Sequence, residues 1–196
     1  MTIKRAKSSA IVAPLAEAEA FFAANPEIDS IEMIYTDFGG VPRGKRLRQH
    51  EVIDVYKQGR FFPGSITVVD ITGQDTVETG LVWEDGDADR VARPIPGRIT
   101  PAPWLGADVA QVPVTMYELD GKPHDLDPRH VLQRVIDRFA ADGLVPVVAC
   151  ELEYYLVDAR RTPSGGIQLP PSPLTHDRAT QHQVYGLREV EEASAF

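Results

Sequence analysis

Apolar residues recur along this chain in two rhythms, a helical one and a strand-like one, and their alternation divides it into elements. Pro14 to Asn25 (PLAEAEAFFAAN) has apolar positions at helical spacing behind a proline that suits a helix start. Ile31 to Asp37 (IEMIYTD) alternates with period two, which predicts a strand, and Phe38-Gly39-Gly40 supplies its turn. Arg43 to Arg48 returns as a second, more polar strand. His50 to Gln58 predicts a helix closed by Gly59. From Phe61 to Asp120 short strands mix with many Gly and Pro residues; Val109 to Leu119 is the clearest strand, and Asp120-Gly121 its turn. Asp127-Pro128 then opens the strongest helix of the chain, with Asp as N-cap, Pro at the first position and Gly143 closing after Asp142. Val131, Leu132, Val135, Ile136 and Phe139 form its apolar face.

That helix feeds a second apolar run, Leu144 to Val157 (LVPVVACELEYYLV), which predicts a strand interrupted by two carboxylates. Side chains of a strand alternate faces, so Glu151 and Glu153 would point the same way, with Val147 and Ala149 before them and Tyr155 and Val157 after. Two like charges on one face repel, and burying them unpaired is costly. A divalent metal between them would resolve that conflict; strand geometry alone is equally satisfied by a solvated face. Cys150 falls on the opposite face, where a buried structural thiol is expected rather than a nucleophile. Asp158 to Gln183 is rich in Pro, Gly and polar residues and reads as a long loop. Leu187 to Phe196 reads as the opening of a helix. Strands, helices and further strands without a βαβ rhythm predict an α+β fold, with a boundary near Gly121 to Leu126.

Composition narrows the function classes. The chain has 196 residues, 25% of them charged and 43% hydrophobic, an ordinary soluble balance. A formal charge of −9 argues against nucleic acid or an anionic membrane as the main partner. No apolar run is long enough to span a bilayer, and the N-terminus (MTIKRAKSSA) lacks the apolar core of a secretory signal. The single cysteine excludes an internal disulfide framework and suits a reducing cytosol. No phosphate-binding GxxxxGK[ST] loop, GxGxxG after a strand, HExxH or GxSxG occurs. The five histidines are scattered, and a solvated role is expected for His176 and His182 in their loop. The EDGDADR stretch lacks the order of a calcium loop and reads as an acidic turn.

Three stretches together resemble the N-terminal part of the glutamine synthetase superfamily, most of all its γ-glutamylpolyamine synthetase branch. The first is TDFGGVPRGKRL, containing Asp37, Gly40, Arg43, Gly44 and Lys45. The second comprises Phe61 to Leu81 (FFPGSITVVDITGQDTVETGL) and Asp87 to Gly97 (DADRVARPIPG), which in the family reaches a neighbouring subunit's active site. The third is CELEYYL, similar to the family's E-x-E-[FY] strand. The resemblance implies a tail and helix over residues 1–29, a β-grasp domain over 30–121, and an incomplete start of the catalytic domain over 122–196.

Further implications follow from the family. Glu151 and Glu153 would be two carboxylate ligands to Mg²⁺ or Mn²⁺, each serving a different ion, in an enzyme with ATP as co-substrate. Glutamate and an amine would be joined through an acyl phosphate, in stacked rings of subunits in the cytoplasm. Ser65 and Tyr185 would contact substrate. Ammonia-using members carry an aspartate at the position of Pro63, so a polyamine or another primary amine is the expected nucleophile. No catalytic or nucleotide-contacting residue is assigned within these residues, so the chain by itself is expected to be inactive. A non-catalytic β-grasp module docking on full-length relatives, and an ammonia-using glutamine synthetase, are the alternatives.

Overall fold

The computed structural model describes residues 12–179, together with 186, 187, 190, 191 and 194. It divides into two units, one ending at Pro146 and one beginning at Val147. The first is an α+β unit built on a mixed sheet. Its elements in chain order are α1 (Leu15–Ala24), β1 (Ser30–Thr36), β2 (Pro42–Arg48), α2 (Gln49–Gln58), β3 (Arg60–Pro63), β4 (Asp89–Pro94), β5 (Thr100–Pro101), β6 (Val109–Tyr117) and α3 (Pro128–Ala141). The strand order is β2-β1-β6-β4-β3, with β5 also pairing to β6. All pairings are antiparallel except β1 with β6, so two distant segments meet in parallel at the centre of the sheet.

The period-two pattern of β1 is realised in burial. Ile31, Met33 and Tyr35 are buried, whereas Glu32 takes the other face, bonded to Arg46 of β2 and Gln111 of β6. Those two bonds, Arg46's first, hold the Glu32 carboxyl below its usual range. Opposite Ile34 in the β1–β2 register stands Gly44, where an added Cβ would lie 1.8 Å from the Met33 carbonyl oxygen. The hairpin therefore needs glycine at this point for backbone approach. β6 is buried along most of its length, as a central strand should be. Pro113 sits within it where pairing to β1 ends and pairing to β4 begins, a junction at which the missing N–H costs no ladder bond. Ala18 and Phe22 of α1 and Val52, Val55 and Tyr56 of α2 pack with the sheet residues into one core. The Tyr56 hydroxyl donates to Glu17, joining the two helices.

The junction of β6 with α3 is made by one side chain. Asp127 is fully buried and is the predicted N-cap of α3. Its Oδ1 accepts from the amides of Arg129 (2.7 Å) and His130 (3.4 Å). Its Oδ2 accepts from Thr115 Oγ1 (2.9 Å) and the Met116 amide (2.7 Å) of β6. His130, one turn into α3, donates from Nε2 to the Met116 carbonyl at 2.8 Å and sets its ring edge-on to Tyr117. The carbonyl can only accept, so the proton sits on Nε2.

Two readings of the sequence are corrected here. Leu144 to Val157 is irregular and exposed rather than a strand; Val147 is 93% and Leu152 85% exposed. A strand needs a ladder partner, and none of the described segments pairs with this one. Cys150, expected on a buried face, is exposed for the same reason. The apolar stripe of α3 is likewise uncovered among the described residues, with Leu132, Val135 and Phe139 all exposed. The segment 158–179 is irregular, as expected, and held by turns and an Asp158–Arg178 ion pair. Of the predicted terminal helix, Leu187, Val190 and Glu191 are helical and the other positions lie largely outside the described residues. Among the described residues no helix is long and apolar enough to cross a membrane.

Replacing Asp127 by Ala removes a helix cap and strands buried donors on β6, which should cost about 3 kcal/mol of stability. Chemical denaturation of the two chains measures this; a loss below about 1 kcal/mol would show that α3 is held by something else.

Candidate functional site

In the first unit, the site candidates converge on the turn after β3. Phe62-Pro63 leaves the strand in extended backbone, and Gly64–Thr67 forms a single 3₁₀ turn that Pro63 immediately precedes. Gly64, Ser65 and Thr67 are all buried. The Thr67 hydroxyl donates to the Gly64 carbonyl (2.9 Å), and the Val68 amide closes on the Ser65 carbonyl (3.0 Å). A buried turn of this kind must have its polar backbone satisfied from outside, and two neighbours do so.

The first neighbour is the β1–β2 hairpin. Asp37 has a fully buried side chain that accepts from the Val41 amide (2.9 Å) and from Arg43 Nε (2.5 Å). Arg43 reaches on through Nη2 to the Asp70 carbonyl (3.1 Å), and the Phe38 amide donates to the Thr67 carbonyl (3.1 Å). The Phe38 amide, next to Asp37, thus holds the far end of the turn, and Arg43 anchors the segment that follows it. A buried carboxylate of this kind needs its guanidinium partner, so the pair fixes the hairpin tip rather than decorating it.

The second neighbour is the acidic stretch before β4. The Ala88 carbonyl accepts the Gly64 amide (3.0 Å), and Asp87 Oδ1 accepts the Ser65 amide (3.2 Å). Asp87 takes a left-handed backbone conformation, φ 53°, to present that carboxylate. The reading of EDGDADR as a turn holds, and the carboxylates of Asp85 and Asp87 are spent on protein donors. Arg90 lies behind it, bonded to Asp85 and Ala88 and paired with Glu118, which also contacts the buried His124. Arg90, Glu118 and His124 were not singled out by sequence. The available signal was an arginine inside a strand whose neighbours Val91 and Ala92 are both buried.

In the second unit, Glu151 and Glu153 are exposed on irregular backbone. Their oxygen donors suit a hard divalent cation such as Mg²⁺ or Mn²⁺. Among the described residues no group of three or more metal-ligating side chains converges, so these two glutamates stand without a third ligand there. Tyr185 and His182 lie outside the described residues. His176 is exposed, with φ 64°, in the loop where a solvated role was expected.

Residues 125–196 match the family described as glutamine synthetase, catalytic domain. The gamma-glutamylputrescine synthetase PuuA of Escherichia coli is 38% identical over 171 residues, 87% of this chain and 36% of that protein. The glutamine synthetase of Pyrococcus abyssi is 30% identical over 126 residues, 64% of this chain and 25% of that protein. A solved GmaS–ADP complex overlays on 64% of this chain and 26% of its own, at 24% identity and a TM-score of 0.48. The chain thus spans little more than a third of the length of the first of these relatives and a quarter of the second.

Proposed function

The chain belongs to the glutamine synthetase superfamily, and we propose that it forms part of an ATP-dependent ligase that joins a primary amine to the γ-carboxylate of glutamate. The observation that carries this reading is the 38% identity to a γ-glutamylputrescine synthetase over 87% of this chain. Only part of the catalytic domain is present. In the proposed reaction the γ-carboxylate attacks the terminal phosphorus of ATP and ADP leaves. The amine nitrogen then attacks the acyl carbon, inorganic phosphate departs and the nitrogen loses a proton.

Within this scheme the catalytic domain starts at residue 122, and residues 30–121, inside the first unit, are the β-grasp domain. Its Pro63–Ser65 turn is the amine-side element, and Ser65 and Tyr185 are substrate contacts. Pro63 has no side-chain acceptor with which to bind or deprotonate ammonium. A larger amine that brings its own apolar and cationic contacts fits better, and the −9 charge of the chain favours a cationic substrate. Glu151 and Glu153 would hold divalent cations. A bound cation neutralises phosphate charge during transfer. By family resemblance the ligase assembles into rings, and the single exposed cysteine suits a reducing cytosol.

In the full-length ligase, Glu151→Gln and Glu153→Gln should each weaken Mn²⁺ binding by about tenfold or more, read by titration without substrate. Unchanged affinity and unchanged turnover in both variants would remove the metal assignment. Putrescine should exceed ammonium in kcat/KM by about tenfold or more. A preference for ammonium would refute the role given to Pro63.

A further inference from the structure

We propose that Arg90 is a positioning residue for the Pro63–Ser65 turn and, through that turn, for the amine; the second clause rests on the amine-side role proposed for the turn. Arg90 stands in β4 with its side chain 10% exposed, and a guanidinium so placed must be paired on every side. Nη1 donates to the Ala88 carbonyl at 2.8 Å, the same oxygen that accepts the Gly64 amide at 3.0 Å. Nη2 donates to Asp85 Oδ2 at 3.0 Å. Nε lies 2.8 Å from Glu118 Oε2, an ion-pair contact whose angle falls outside hydrogen-bonding geometry.

Glu118 is itself fixed. Its other oxygen lies 2.6 Å from His124 Nδ1, and His124 is 3% exposed with its amide bonded to the Met116 carbonyl at 3.1 Å. A continuous chain therefore runs from the end of β6 through His124, Glu118, Arg90 and Ala88 to Gly64. Gly64 faces the guanidinium: an added Cβ there would meet the Ala88 oxygen at 3.2 Å and Arg90 Cζ at 3.5 Å. Asp87, between Asp85 and Ala88, carries the Ser65 amide, so the same clamp sets both amides of the turn.

A lysine could satisfy Glu118 but not span Asp85 and Ala88 together, because the planar fork supplies both directions at once. The consequence reaches the substrate, since a misplacement of about 1 Å at a positioning element costs on the order of a hundredfold in rate.

The test uses Arg90→Gln and the milder Asp85→Asn, which removes one arm of the clamp from an exposed partner. Two readouts are taken on the full-length ligase: amide hydrogen exchange, and Michaelis constants for putrescine, glutamate and ATP. Exchange at Gly64 and Ser65 should quicken by about tenfold in Arg90→Gln and about threefold in Asp85→Asn, with β1 and β6 still protected. The KM for putrescine should rise by about tenfold, with those for glutamate and ATP within about twofold. Unchanged exchange at the turn in both variants, or an equal rise in all three constants, overturns the proposal. A wild-type enzyme that ligates no amine, with quickened exchange in the variants, refutes the amine-side reading and upholds Arg90 as the residue that positions the turn.

Discussion

The first unit depends on a carboxylate that has no access to water. Asp127 receives four hydrogen bonds, two from the first turn of α3 and two from β6, so a helix start and a central strand share one acceptor. Such a group is costly to bury and costly to leave incomplete, which makes the junction specific: α3 begins at one place on β6 and nowhere else. Nearby, Tyr35 has a buried hydroxyl without a hydrogen-bond partner among the described residues. Burial first, and then the charges of Asp127 and Asp37, push its ionisation upward and keep it neutral. Both aspartates thus lie near Tyr35, at the C-terminal end of β1.

The turn at Pro63–Thr67 is held by the same principle applied twice. The hairpin that Asp37 and Arg43 fix bonds its far end through the Phe38 amide, and Arg90 with Glu118 and Asp85 braces the acidic stretch that bonds its near end. Neither pair adds much to stability, because desolvation offsets most of the Coulombic gain. What each supplies is geometry: a 3₁₀ turn with no regular ladder acquires fixed coordinates from charged neighbours. The proposed ligase needs such a turn, because a proline in place of a carboxylate can discriminate amines only if its position is constant.

The elements of the first unit were legible because their signals are local. Alternation in IEMIYTD, the Gly59 and Gly143 stops, and the Asp127-Pro128 start depend on neighbours within a few residues. The parallel pairing of β1 with β6 was not legible, since it joins segments separated by most of the unit. Nor was the Arg90 clamp, whose partners Asp85, Glu118 and His124 come from different elements. The run Leu144 to Val157 failed in the opposite direction. Its alternation describes what the segment is fit for, whereas a strand exists only where a second segment supplies the ladder. Residue type and spacing therefore singled out Glu151 and Glu153 as candidates without describing their surroundings.

The central chemical claim, that glutamate is activated before the amine attacks, has a direct test. Full-length ligase is given ATP, putrescine and glutamate carrying ¹⁸O in its γ-carboxylate, and the inorganic phosphate is analysed by mass. Ligation through an acyl phosphate predicts one ¹⁸O transferred to phosphate for each amide formed. Amide formation with unlabelled phosphate would contradict it.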